Sequence, residues 1–147
     1  QHKISEHGRR RMRSMLKLVG DLESVGDCNF NLARSVNRMR EKKITFSEEA
    51  MEKLELMFNL VEESLEIMRD NLNIDEQHVI LDKAVQIEEQ INNYRNQLKA
   101  DHLDNLSKNV YSYEAGILFN DIFSECEKLG DYAINVSEAL KEVSSKK

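Results

Sequence analysis

The amino-acid sequence predicts an all-α protein, an antiparallel up-down four-helix bundle, and three observations carry that prediction. The 147 residues include no proline and only 5 glycines, so helix breakers and tight-turn residues are nearly absent. Charged side chains make up 33% of the chain, and they alternate with apolar residues spaced three and four apart, the pattern of amphipathic helices. The breaks in that pattern are short, and short connections make successive helices antiparallel neighbours. A β-sandwich or barrel of this length would need turn signals about every ten residues. All-β folds are excluded.

The helices are expected near 5–41, 47–73, 75–106 and 112–144. On the first, Met12, Met15, Val19, Leu22, Gly26, Ala33 and Val36 form the stripe expected to face the core. The Ile44-Thr45-Phe46-Ser47 stretch ends it, and Ser47 before Glu48 and Glu49 reads as an N-cap with acidic first-turn residues. In the second helix Met51, Leu54, Phe58, Val61, Leu65, Met68 and Leu72 make a bundle-type seam. Asp75 is the expected cap of the third helix, whose stripe is Ile80, Ala84, Ile87, Ile91, Tyr94 and Leu98. Ser112 is the expected cap of the fourth, which presents Ala115, Phe119, Ile122, Cys126, Leu129, Ala133, Val136, Leu140 and Val143. The tail from Ser144 to Lys147 is expected to fray.

Charge and composition narrow the function. With 21 Lys and Arg against 27 Asp and Glu, the net charge of −6 argues against a general nucleic-acid binder. The short basic cluster of Arg9, Arg10, Arg11 and Arg13 reads as a solvated helix face. Two cysteines, Cys28 and Cys126, give neither a disulfide framework nor a metal knuckle, and a reduced cytosolic setting is expected. Apolar runs fall short of the length that spans a bilayer, so direct membrane insertion is not expected. The chain does not begin with Met, and a piece of a longer protein is expected. No helix carries the Glu-x-x-His pair of a di-iron bundle, and neither cysteine has a histidine partner legible in sequence. A non-enzymatic protein is expected.

One internal repeat stands out. Asp21-Leu22-Glu23-Ser24-Val25-Gly26-Asp27, continuing to Asn31-Leu32, returns 104 residues later as Glu125-Cys126-Glu127-Lys128-Leu129-Gly130-Asp131, continuing to Asn135-Val136. Both copies fall near the middle of a helix. Glu23 and Asp27, like Glu127 and Asp131, are four apart on one helix face, where a like-charge pair costs about 0.2–0.5 kcal/mol. A mid-helix glycine costs up to about 1 kcal/mol against alanine. A divalent cation held by the carboxylates would relieve the first penalty, and close approach of a neighbouring helix would explain each glycine. A solvated acidic face beside the seam fits the same spacing.

At this motif the chain resembles the PhoU family, whose helical repeat carries a Leu-Glu-Arg-Ile-Gly-Asp-x-x-x-Asn-Ile-Ala element. The matching stretches are Leu22 to Ala33 and Cys126 to Ser137. The Ile87-Glu88-Glu89-Gln90-Ile91-Asn92 segment resembles the family's middle helix. The following Tyr94-Arg95 and His102-Leu103 look like the version fused to bacterial sodium/phosphate cotransporters.

The resemblance implies that 45–147 is one complete three-helix repeat and 1–44 the last helix of a truncated preceding one. It implies metal binding by Glu23, Asp27, Glu127 and Asp131, with iron, zinc or manganese as the divalent transition metal and Asp21 and Glu125 as additional candidates. The chain departs from the family pattern at Asn92, four residues after Glu88, where an acid is expected. The implied function is a cytoplasmic regulatory domain modulating phosphate transport, its partner the transmembrane transport domain of the parent chain or a phosphate-signalling protein. A free-standing signalling adaptor and a metal-binding or structural bundle are the alternatives, and homodimer formation is left open.

Overall fold

A computed structural model describes residues 3–145; Gln1, His2, Lys146 and Lys147 lie outside it. Four α-helices make up the described chain: α1 (Glu6–Glu41), α2 (Glu48–Asn73), α3 (Asp82–Ser107) and α4 (Tyr113–Ser145), with no strand among the described residues. The expected bundle is what forms. Serines start three helices, Ser47 and Ser112 as expected and Ser5 in addition: Ser5, Ser47 and Ser112 accept from the backbone N–H of Gly8, Ala50 and Ala115 at 3.0, 3.2 and 3.2 Å.

The C-terminal stops of α1 and α3 share one geometry and use no glycine. Lys43 and Asn109 each take positive φ, 52° and 53°. Beyond them Ile44 N–H returns to the Met39 carbonyl and Val110 N–H to that of Asn105, both at 3.0 Å, closing Schellman motifs. Ile44 and Met39 both pack on the core, so the hydrophobic contact that accompanies this motif is present. Asparagine tolerates the left-handed region, whereas lysine there costs about 1 kcal/mol. Lys43→Gly is expected to raise stability by about that amount, read as a higher urea midpoint at unchanged slope.

The third helix begins later than its pattern suggests. Asp75 does cap, its side chain accepting from Gln77 N–H at 3.3 Å, but it caps a single 3₁₀ turn, Glu76–His78. The chain then stays extended, burying Val79 while Lys141 Nζ donates to the Val79 carbonyl at 3.0 Å. Ile80, expected on the core stripe, is left exposed. Tertiary burial of Val79 overrides the local cap.

Helix α4 is the spine. It packs against α1, α2 and α3, while α1 packs chiefly along α4. The end of α1 meets the start of α4 through the Lys42–Glu114 ion pair, and Leu18 and Leu22 share a cluster with Leu140, so the two helices run antiparallel. Helices α2 and α3 are likewise antiparallel, with Lys53 near the start of one bonded to Asp101 near the end of the other at 3.1 Å. Met57, Val61, Ile87, Ile91, Leu98, Phe119, Ile122, Phe123, Cys126 and Leu129 fill the main core. Asn71 donates to the buried Ser137 hydroxyl at 3.0 Å, satisfying a polar pair between α2 and α4.

Two expected stripes need correction. On α2 the expected Met51, Phe58 and Leu72 are exposed, and Met57 and Asn71, each one position before an expected residue, are buried instead. On α1 the error is larger: Met12, Met15, Val19, Gly26 and Ala33 are exposed. The face against α4 instead carries Ser14, Leu18, Leu22, Val25, Cys28, Leu32 and Met39. Helix α1 has two apolar faces, and only one is covered.

Candidate functional site

The α4 copy of the repeated motif sits against α3. Gly130 is buried, and a Cβ built there would lie 2.9 Å from Ile91 Cδ1 and 3.3 Å from its Cγ2. The glycine therefore lets α3 approach closely, as its mid-helix position suggests. On either side of this contact stand Glu127 and Asp131, both half-buried. Across from them α3 supplies Glu88, Asn92 and Arg95, spaced four and three apart on one face.

Three carboxylates and one guanidinium share this interface. Arg95 Nη2 lies 3.7 Å from Glu127 Oε1, and Asn92 Nδ2 donates to Glu88 Oε1 at 2.6 Å. Burial pushes the Asp131 carboxyl up to about 6, and the charge and hydrogen bond of Glu127 and the charge of Glu88 push the same way, against Arg95. Asn92 Oδ1 and Arg95 Nε are buried without a hydrogen-bond partner. The interface is closely packed but electrostatically unrelaxed, with one acid that gives up its proton only near pH 6.

The α1 copy has the opposite surroundings. Glu23, Gly26 and Asp27 are all exposed, and a Cβ on Gly26 would meet nothing within 4 Å. The expectation that both glycines mark close helix contacts therefore holds for Gly130 and fails for Gly26.

The four acids do not converge either. Asp131 is perturbed by acids of α3 and α4, while Glu23 and Asp27 lie on the α1 face turned away from α4. Asp21 and Glu125 belong to neither set: two residues along a helix are about 200° round it, so each points into the α1–α4 seam. There Asp21 Oδ2 and Glu125 Oε2 are buried without hydrogen-bond partners.

These positions do not fit one four-carboxylate metal site. Glu127 has Arg95 as an ion-pair partner, its Nη2 3.7 Å from Glu127 Oε1. Among the described residues no group of three or more His, Cys, Asp or Glu side chains is arranged to hold a metal ion.

The cysteines face each other's surroundings in the α1–α4 seam. Burial, with Glu125 nearby, pushes the Cys28 thiol up to about 11 and the Cys126 thiol up to about 12. Neutral, buried thiols are poor nucleophiles.

At the other end of the bundle His102 is buried against the rings of Tyr111 and Phe119, which also touch each other, with Phe123 edge-on. Its Nδ1 is hydrogen-bonded to the Tyr111 hydroxyl, and burial lowers its pKa below 6.5. Because the folded state resists protonation, this group's contribution to stability is present above 6.5 and lost as pH falls through the lowered value. In an Asp131→Asn background, which removes the opposing trend, the urea midpoint should fall between pH 7.5 and pH 5. His102→Gln should flatten that fall.

Sequence reasoning singled out Glu127 and Asp131 but missed Glu88 and Arg95 as their partners. The signal was present in the four-then-three spacing of Glu88, Asn92 and Arg95 on the helix that also carries Ile91. No protein-family model, curated protein or solved structure matches the chain. The fold itself defines an all-helical bundle with a polar, acid-rich helix interface.

Proposed function

We propose that this chain is a non-enzymatic, PhoU-like regulatory domain of a sodium-dependent phosphate cotransporter, acting at the cytoplasmic face of the membrane through helix packing. The carrying observation is the motif repeated 104 residues apart, together with its setting on α4. There the motif's glycine admits α3, and its Asp131 carboxyl, set beside Glu127 and Glu88, is pushed up to about 6. A contact of that kind changes strength with small changes in charge, which suits a module that transmits status rather than transforms a substrate.

The same observation supports reading 45–147 as one three-helix unit, α2 to α4, with α1 as the closing helix of another. Helices α2, α3 and α4 pack on one another in all pairings, whereas α1 leans on α4. No described helix is long and apolar enough to cross a membrane, so transport itself would reside in another part of the parent protein.

The test is phosphate uptake by cells expressing the whole parent reading frame, compared with a version ending before Gln1 and with Asp131→Asn. The reading expects uptake that no longer declines in phosphate-replete cells once the domain is removed, and an altered response in the variant. Identical uptake in all three would overturn it. Membrane-length segments upstream of Gln1 would support the fused transporter; a parent lacking them would favour the adaptor.

A further inference from the structure

The outer face of α1 is a complete helix-packing seam left open. Met12, Leu16, Val19, Glu23, Gly26 and Phe30 recur at alternating four- and three-residue steps, the spacing of a two-helix seam. All six are exposed, with Met12, Leu16, Val19 and Phe30 at 50, 67, 60 and 64%. Apolar side chains gathered in one stripe mark an interaction surface more than isolated ones do.

The chain contains its own template for what covers such a face. Shifted by 104 residues, Val19, Glu23, Gly26, Asp27 and Phe30 correspond to Phe123, Glu127, Gly130, Asp131 and Ile134. On α4 this face is covered by α3: Ile91 seats on Gly130, Arg95 neutralises Glu127, and His102 packs edge-on against Phe123. On α1 the glycine seat is vacant, and Glu23 and Asp27 are exposed with it.

We infer that the outer face of α1 docks an amphipathic helix of α3-like chemistry, with a branched aliphatic residue seated on Gly26 and an arginine one turn further on facing Glu23. The apolar stripe supplies the driving force, and the two acids select a partner edge carrying positive charge. This inference deepens the reading of α1 as the closing helix of a second three-helix unit and rests on it, and it stands apart from the phosphate-transport reading.

The probe is a synthetic peptide of the α3 sequence, residues 82–107, titrated into the isotope-labelled full chain. Saturable shifts of the Met12, Val19, Gly26 and Phe30 amides are expected. Binding should weaken at least tenfold with Gly26→Leu, Val19→Asp, or Arg95→Glu in the peptide. Gly26→Leu fills open space in the free protein, so its fold is retained while the seat is blocked.

Absence of binding would overturn the inference, as would binding indifferent to Gly26→Leu, which would mean displacement of the chain's own α3. Self-association of the free chain through α1, abolished by Val19→Asp, would also overturn it by making a second α1 the occupant. None of these outcomes depends on phosphate uptake.

Discussion

Gly130→Leu should destabilise the bundle by about 1–3 kcal/mol, whereas Gly26→Leu should leave stability unchanged or raise it by up to about 1 kcal/mol. The difference lies in what each new side chain meets. At Gly130 even a Cβ comes within 2.9 Å of Ile91, itself almost fully buried and unable to retreat without disturbing the core. At Gly26 nothing lies within 4 Å, and leucine gains the helix propensity that glycine lacks. Urea unfolding of the two variants reads both signs. Equal losses would mean that α1 is covered on its outer face.

Asp131→Asn should stabilise the protein by about 1–3 kcal/mol at pH 7.5 and by little at pH 4. The Asp131 carboxyl is raised from 3.8 to about 6 in the folded chain, so the folded state holds that proton more tightly than the unfolded state does. Its favourable contribution is present below 3.8 and lost as pH rises through about 6, leaving an ionised acid beside Glu127 and Glu88. Asparagine keeps a donor for Glu127 and removes the charge. Thermal melts at the two pH values measure the difference. A gain of equal size at both would assign the effect to packing instead of ionisation.

Much of the fold was legible in the sequence because the helices are long and their caps are made by single residues. Ser47 and Ser112 cap where their spacing placed them, and every residue of the expected α4 stripe is buried or half-buried. Helix α4 is surrounded by the other three, so almost any apolar position on it finds a neighbour. Helix α1 was misread for the complementary reason. It carries two apolar faces, and periodicity alone does not say which of two good stripes meets α4. The delayed start of α3 was hidden because burying Val79 is a tertiary event that the Asp75 cap signal does not contain.

The candidate site was legible as residues but not as an arrangement. Repetition identified Glu127, Gly130 and Asp131, and helical spacing paired each glycine with its acids. What it did not reveal was that the two copies would have different surroundings. One copy lies against Ile91, Glu88 and Arg95; the other faces outward. The same Glu-Gly-Asp pattern meets different tertiary context, and the electrostatics follow the context. Asp21 and Glu125 were misgrouped with the motif acids because sequence adjacency hides the turn of the helix, which sends alternate residues to opposite faces.

Carbodiimide labelling of carboxylates, read by peptide mass spectrometry on the folded chain, tests the difference between the two motif copies most directly. At pH 7.5, where Asp131 is ionised like the others, Glu23 and Asp27 should label at rates close to those of the unfolded chain, while Glu127 and Asp131, half-buried against α3, should be protected. Equal protection of both pairs, or equal labelling of both, would contradict a structure in which one copy is a filled helix interface and the other an open one.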